Sequence, residues 1–293
     1  MPSLQELLAS DIEVAAVVTN PDRPAGRKLQ LQAPPAKQAA VDAGLEVLQP
    51  EKARDPEFQK RLRELGPDVA TVVAYGKILP VSVLEIPPLG FVNLHFSLLP
   101  AYRGAAPVQR ALMEGVKETG ASVMVLTEGM DEGPVLGERV VEVRDEDTAG
   151  SLGARLAEVG APLLVETIQA YATGDIVPAE QDHEAATYAP KITTEEARID
   201  WTKSATAIRN LVRGLNPAPG AWTTLRETRL KVLQADHREG AGRPGEIVDG
   251  RELVVATGAG ALALTEVQPA GKRAMSGSEL ARGLRPASGE SFE

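Results

Sequence analysis

The first half of the chain alternates apolar runs with amphipathic stretches. EVAAVVT (13–19) reads as a buried strand, and PPAKQAAVDAG (34–44) as a helix bounded by prolines at its start and a glycine at its end. LEVLQP (45–50) is a short strand, DPEFQKRLREL (55–65) a helix and PDVATVVAY (67–75) a strongly apolar strand. FVNLHF (91–96), ASVMVLT (121–127) and VLGERVVEV (135–143) supply three more strands, and a long helix over 149–173 closes the region. This alternation predicts an α/β domain with a mainly parallel sheet and helices on both faces. Ligands of such sheets bind outside the carboxyl ends of the strands.

From residue 185 the texture changes. AATYAPKITTEEARIDW lacks a strong apolar period and reads as a linker, 185–203, with a docking segment at its end. SATAIRNLVRGLN (204–216) reads as one helix, followed by short strands broken by glycine and proline: AWTTL, LKVLQAD, GEIV, ELVVAT and ALALTEVQP. That spacing predicts a small barrel or sandwich over 204–293, after a first domain over 1–184. The beginning departs from the expected order. A doubly wound sheet opens with a strand, whereas the first pattern here is a helix over 3–10, so the first strand is expected to be missing.

Composition narrows the classes. With 43% hydrophobic and 25% charged residues, the 293-residue chain suits two soluble globular domains, and no apolar run reaches the roughly 20 residues of a membrane span. The start lacks the basic and apolar segments of a signal peptide, so a cytoplasmic protein is expected. The absence of cysteine excludes disulfides and a thiolate nucleophile, and the three histidines lack metal-ligand spacing. Net charge is −10, but residues 204–293 carry 12 basic against 10 acidic groups. A mildly basic tail on an acidic body is compatible with local contact to a polyanion and does not by itself establish it.

The densest chemistry lies in FVNLHFSLLPAYRGAAPVQRAL (91–112). Asn93 and His95 are two apart on a strand and share a face, and the Ser97-Leu98-Leu99-Pro100 turn follows at once. Downstream, EGMDEGPVL sets Asp131 in an acidic turn between two apolar strands. An amide N–H and an imidazolium can stabilise a developing oxyanion; an imidazole can also shuttle protons while a carboxylate orients it. Each residue alone has an ordinary explanation: a turn or cap Asn, a structural His, a turn Asp.

The surrounding residues add a resemblance. NLHFSLLPAYRGAAP, with a later Asp-x-Gly, resembles the signature of the formyltransferases that use 10-formyltetrahydrofolate. The resemblance implies a Rossmann-like catalytic domain and a formyl transfer that needs no metal. It gives Asn93 the oxyanion contact, His95 the proton shuttle and electrostatic role, and Asp131 the support of His95. Ser97, Leu98, Leu99 and Pro100 are then expected to line the folate site. TNPDRPAGRKLQLQAPPAKQAA (19–40) resembles the loop of the methionyl-tRNA branch of that family, whose basic residue matches Arg27, flanked by Arg23 and Lys28. ARIDWTKSATAIRNLVRGLNPAPGAWT (197–223) is similar to that branch's junction into a C-terminal OB-like β-barrel. There Ile199 and Trp201 are expected to dock the linker. In QPAGKRAMSGSELARG (268–283), Lys272 and Arg273 are candidates for tRNA backbone contact.

The acceptor so implied is methionyl initiator tRNA, handled by a monomer with no membrane partner. Two alternatives remain at this point: an amino-sugar or sugar-nucleotide formyltransferase with the same Asn-His-Asp site, and a non-catalytic RNA-binding relative. The family's chains open with a strand and a Gly-Thr-Pro-x-Phe loop before a Val-Pro-Ser-Leu helix start. Met1-Pro2-Ser3-Leu4 therefore reads as a start assigned at a GTG valine codon.

Overall fold

A computed structural model of the chain describes residues 1–25, 30–287 and 289–293. Its elements in chain order are α1 (Pro2–Ala9), β1 (Ala16–Val18), β2 (Arg23–Ala25), β3 (Gln30–Gln32), α2 (Pro35–Asp42), β4 (Glu46–Leu48), α3 (Pro56–Leu65), β5 (Ala70–Val72), α4 (Val81–Leu84) and β6 (Phe91–His95). There follow α5 (Pro107–Glu114), β7 (Glu118–Val125), β8 (Val135–Glu142), α6 (Ala149–Thr173), α7 (Ala205–Gly214), β9 (Ala221–Leu225) and β10 (Thr228–Arg238). The chain ends with β11 (Ile247–Asp249), β12 (Val254–Ala256), β13 (Ala261–Pro269), β14 (Met275–Ser276) and α8 (Gly277–Leu284). It divides into two compact units, one of Met1–Ala105, Thr119–Val141 and Ala154–Tyr188, the other of Ala106–Glu118, Glu142–Gly153 and Ala189–Glu293.

In the first unit β1 pairs with β4 in parallel, separately from a four-stranded sheet of order β5-β6-β7-β8. There β5 and β6 run parallel, and β7 is antiparallel to β6. Alternation along β6 decides which side chains meet which helices. Val92 and Leu94 join Ala121, Val123 and Leu136 in a cluster capped by Leu7 of α1 and by Leu163, Leu164 and Ile168 of α6. Phe91 points to the opposite cluster, with Phe58 and Leu62 of α3, Val83 of α4, and Val18, Leu48 and Val72 of the two sheet parts. Helices therefore cover both faces, as the alternating pattern predicts. Strands 13–19 and 67–75 are each cut to a three-residue ladder, β1 and β5, although Val14, Val69 and Val73 beyond the ladders still pack inward. Burial, not pairing, produced those long apolar runs.

The expected helices form with ends moved by a residue or two. In α3 the Asp55 carboxylate accepts the Glu57 N–H at 3.0 Å, and Gly66 ends the helix in the left-handed region at φ 56°. The β2–β3 hairpin and helices α4, α5 and α8 were not expected from the pattern.

The second unit carries a sheet of order β11-β12-β13-β10-β9 with β14 on β13, all pairs antiparallel. The C-terminal residues join its two edges. Ile247 N–H donates to Glu290 O at 2.8 Å and Phe292 N–H to Gly245 O at 2.8 Å on one side. On the other, Thr224 and Glu293 exchange backbone hydrogen bonds of 3.2 and 2.9 Å. The closed sheet encloses Leu262, Leu264, Val267 and Ile208 of α7, together with the buried Ile199 and Trp201.

Candidate active site

The site is built on the carboxyl end of β6. Because Val92 and Leu94 fill the core, Asn93 and His95 face the other way. The long helix behind them approaches closely at Gly160, where a Cβ would stand 3.0 Å from both methyls of Leu94. That approach pins the strand. The Asn93 side-chain amide is half-buried and has no protein partner among the described residues, whereas His95 is 6% exposed.

The Ser97–Pro100 turn folds the chain back over the strand end. Ser97 Oγ donates to Ala101 O at 2.6 Å, and Leu99 N–H donates to the buried Ser122 hydroxyl at 3.1 Å. This return brings the Tyr102 carbonyl to 2.9 Å from His95 Nε2. The Ser97 hydroxyl is fully buried and Leu99 nearly so, while Leu98 and Pro100 keep partial exposure. Within this segment the serine and Leu99 hold the turn, and Leu98 and Pro100 remain partly exposed.

Asp131 meets His95 from the β7–β8 connection. Its Oδ2 lies 3.6 Å from His95 Nδ1 and accepts the Gly104 N–H at 2.8 Å. Both ring nitrogens thus face oxygen. The contact to Tyr102 O is a hydrogen bond in length; that to Asp131 is a longer ion-pair distance. Asp131 adopts φ 52°, the left-handed region, and the Gly133 that follows is required because a Cβ there would overlap the Val125 carbonyl oxygen. Gln181 donates from Nε2 to the carbonyls of Asp131 at 2.9 Å and Gly133 at 2.7 Å. The sequence offers no sign of Gln181, 50 residues away from Asp131.

The basic candidates are placed separately. Arg23, on β2, lines a cleft of about 510 Å³ with Asn20, Gln32, Tyr75 and Lys77. The cleft sits beyond the carboxyl ends of β1 and β5, which are tied by Asn20 Nδ2 donating to Tyr75 O at 3.2 Å. Burial pushes the Tyr75 hydroxyl above its usual range, and that hydroxyl has no partner among the described residues. Arg27 and Lys28 lie outside the described residues. In the second unit Lys272 and Arg273 are exposed on the β13–β14 turn, with Arg273 Nη2 3.5 Å from Glu279 Oε1. Among the described residues no group of three or more His, Cys, Asp or Glu is arranged to hold a metal ion, and no helix is long and apolar enough to cross a membrane.

Comparison with known proteins decides the family. The profile described as "Formyl transferase" matches residues 3–168, and that described as "Formyl transferase, C-terminal domain" matches 191–285. The chain belongs to the formyltransferase family. A protein named methionyl-tRNA formyltransferase from Streptomyces griseus is 51% identical over 296 residues, covering 99% of this chain and 95% of its own. Among solved structures, an N-formyltransferase from Helicobacter canadensis, in complex with folinic acid and dTDP-3-aminofucose, superposes with a TM-score of 0.68 at 16% identity, over 92% of this chain and 94% of that one. HypX from Aquifex aeolicus, in complex with tetrahydrofolic acid, gives a TM-score of 0.64 at 19% identity over 86% of this chain. This formyltransferase spans 45% of the HypX chain. At these identities the two structures share its fold, a Rossmann-like sheet followed by a β-rich C-terminal sheet.

Proposed function

We propose that this formyltransferase transfers the formyl group of 10-formyltetrahydrofolate to the α-amino group of methionyl initiator tRNA, for translation initiation. The His95–Asp131 pair at the end of β6 carries the reading, in a chain 51% identical along nearly its whole length to a protein named methionyl-tRNA formyltransferase. Residues 1–184 act as the catalytic domain, 185–203 as a linker and 204–293 as a tRNA-binding domain. The protein works as a cytoplasmic monomer without a membrane partner.

Three side chains carry the chemistry. The Asn93 amide donates to the formyl oxygen as negative charge develops on it, and a protonated His95 adds electrostatic stabilisation. The amine adds to the formyl carbon, the bond from that carbon to N10 breaks, and the proton lost by the amine reaches N10. His95 Nδ1 relays that proton, and Asp131 keeps the ring charged and oriented. Leu98 and Pro100, on the turn held by Ser97 and Leu99, line the folate. Arg23, Arg27 and Lys28 contact the acceptor-stem backbone, and Lys272 and Arg273 contact backbone phosphates from the C-terminal domain.

The test is a formylation assay of the purified chain with 10-formyltetrahydrofolate and methionyl initiator tRNA, alongside a dTDP-amino sugar. Formyl-methionyl-tRNA is expected. Formylation of the sugar alone, or of neither acceptor, would overturn the reading.

A further inference from the structure

Among the described residues Arg103 is the largest charged side chain hidden from solvent, at 2% exposure, and no carboxylate pairs with it there. Its Nε and Nη2 instead converge on one neutral oxygen, Gln181 Oε1, at 3.0 and 2.7 Å. The remaining contact is His183 Nδ1, 3.4 Å from both terminal nitrogens. Burying a guanidinium is costly unless its hydrogen bonds accomplish something specific. Here they end on an amide whose other end carries the Asp131 turn.

The chain of contacts is continuous. Two charged donors on Oε1 polarise the Gln181 amide, which strengthens the donors on Nε2. Those donors hold the carbonyls of Asp131 and Gly133, on either side of the turn. Asp131 sits in the left-handed region at φ 52°, which aspartate visits as a single residue, and the two donors fix the turn in that conformation. The backbone on both sides of Arg103 completes the grip: Tyr102 O meets His95 Nε2, and Gly104 N–H meets Asp131 Oδ2. The segment supplying Gln181 is itself anchored, since Thr187 O accepts the Arg103 N–H at 2.9 Å and Thr187 Oγ1 the Tyr102 N–H at 2.8 Å.

We infer that Arg103 and Gln181 are positioning residues that hold the Asp131 carboxylate in register with His95. The inference rests on the catalytic roles given above to His95 and Asp131. Gln181→Glu is the informative change, because a glutamate still accepts from Arg103 and keeps the buried cation paired, but cannot donate to the two carbonyls. With 10-formyltetrahydrofolate and methionyl-tRNA, kcat is expected to fall at least about tenfold while both KM values stay within about twofold. In an Asp131→Asn background the same substitution is expected to cost less than about twofold more, since residues acting through one another are not additive. A Q181E enzyme with the parent's kcat, or a double variant losing the product of the two single losses, would overturn the inference.

Amide hydrogen exchange across residues 129–133 reads the link without any substrate. Faster exchange in Q181E is expected, and unchanged exchange counts against the inference. The unsubstituted chain in the same assay tests the proposed reaction, so failure of that reaction and failure of the positioning role are told apart.

Discussion

His95 Nδ1 stands 3.6 Å from Asp131 Oδ2, and the opposite ring nitrogen is held at 2.9 Å by the Tyr102 carbonyl. The imidazole is oriented from both sides, with only Nδ1 outside hydrogen-bond length. A group fixed in this way has little reorganisation to make when charge develops beside it. Replacing His95 or Asp131 by alanine is expected to lower kcat at least about a hundredfold, the usual scale for losing a general acid–base or electrostatic group. Single-turnover formylation is the measurement, and near-normal rates in both variants would remove these residues from the mechanism.

Asn93 makes a separate prediction. Its amide spends no hydrogen bond on the protein among the described residues, so truncation leaves no buried partner stranded. Asn93→Ala should therefore unfold at close to the parent temperature while losing about 10²–10³ in kcat, the scale for one oxyanion donor. Equal losses in stability and rate would make Asn93 a structural residue instead.

How far the site is legible in the sequence depends on which atoms do the holding. Asn93 and His95 stand out because strand alternation assigns a polar face to a strand whose neighbours, Val92 and Leu94, are apolar. Asp131 stands out only through the resemblance, whose Asp-x-Gly motif it matches with Gly133. The groups that hold these residues are main-chain atoms: the Tyr102 carbonyl and the Gly104 N–H. Every residue type carries the carbonyl and every type but proline the N–H, so no residue type marks them. Gln181 is a side chain, but its partners are again backbone carbonyls and it lies 50 residues from Asp131. The same distinction runs through the fold. Trp201 and Ile199 were legible as docking residues through the resemblance of 197–223 to the family's domain junction. Closure of the second sheet by residues 290–293 was not, because it is made of main-chain bonds.

Two glycines should respond in opposite directions. Gly133→Ala forces its new methyl against the Val125 carbonyl oxygen, so the turn bearing Asp131 must shift. Loss of at least about tenfold in kcat with a lowered melting temperature is expected, since misplacement of even about 1 Å is costly in an active site. Gly153 lies inside α6 with nothing within 4 Å of an added Cβ. Gly153→Ala should stabilise the chain by about 0.5–1 kcal/mol through helix propensity. Differential scanning calorimetry on both variants checks the pair, and a destabilised G153A would refute the open-space argument.

Glu196 makes part of the second unit sensitive to acid. The Arg110 guanidinium at 2.8 Å, followed by the Thr193 N–H, holds its carboxyl down to about 2, from an ordinary value of 4.5. The folded state therefore favours the ionised form. The resulting stability is fully present above pH 4.5 and drains away as pH falls toward 2. Solvent reaches this pair, with Glu196 39% exposed, so the effect is one slope among several. Glu196→Gln should lower stability at neutral pH and flatten its decline between these limits, read from urea midpoints at successive pH values. Parallel curves for the variant and parent would refute the assignment.

Phe292 is the apolar anchor of the closing segment. It is 4% exposed and packs on Trp201 with ring centroids 5.8 Å apart. Trp201 Nε1 donates to Thr223 Oγ1 at 2.9 Å, and that hydroxyl donates to Glu293 O at 2.8 Å, so the tail is held by one apolar and one polar contact at the same place. Removing a buried phenylalanine side chain costs about 3–5 kcal/mol, and leaving a buried indole N–H without an acceptor costs about 1–3 kcal/mol. Phe292→Ala is therefore expected to destabilise the unit containing α7 and β9–β14 more than Thr223→Val does. Changes in exchange should concentrate at the amides of Thr224, Ile247 and Glu293, which bond across the closure. If F292A leaves those amides as protected as in the parent, the sheet edges hold without the tail, and the C-terminal residues do not close the barrel.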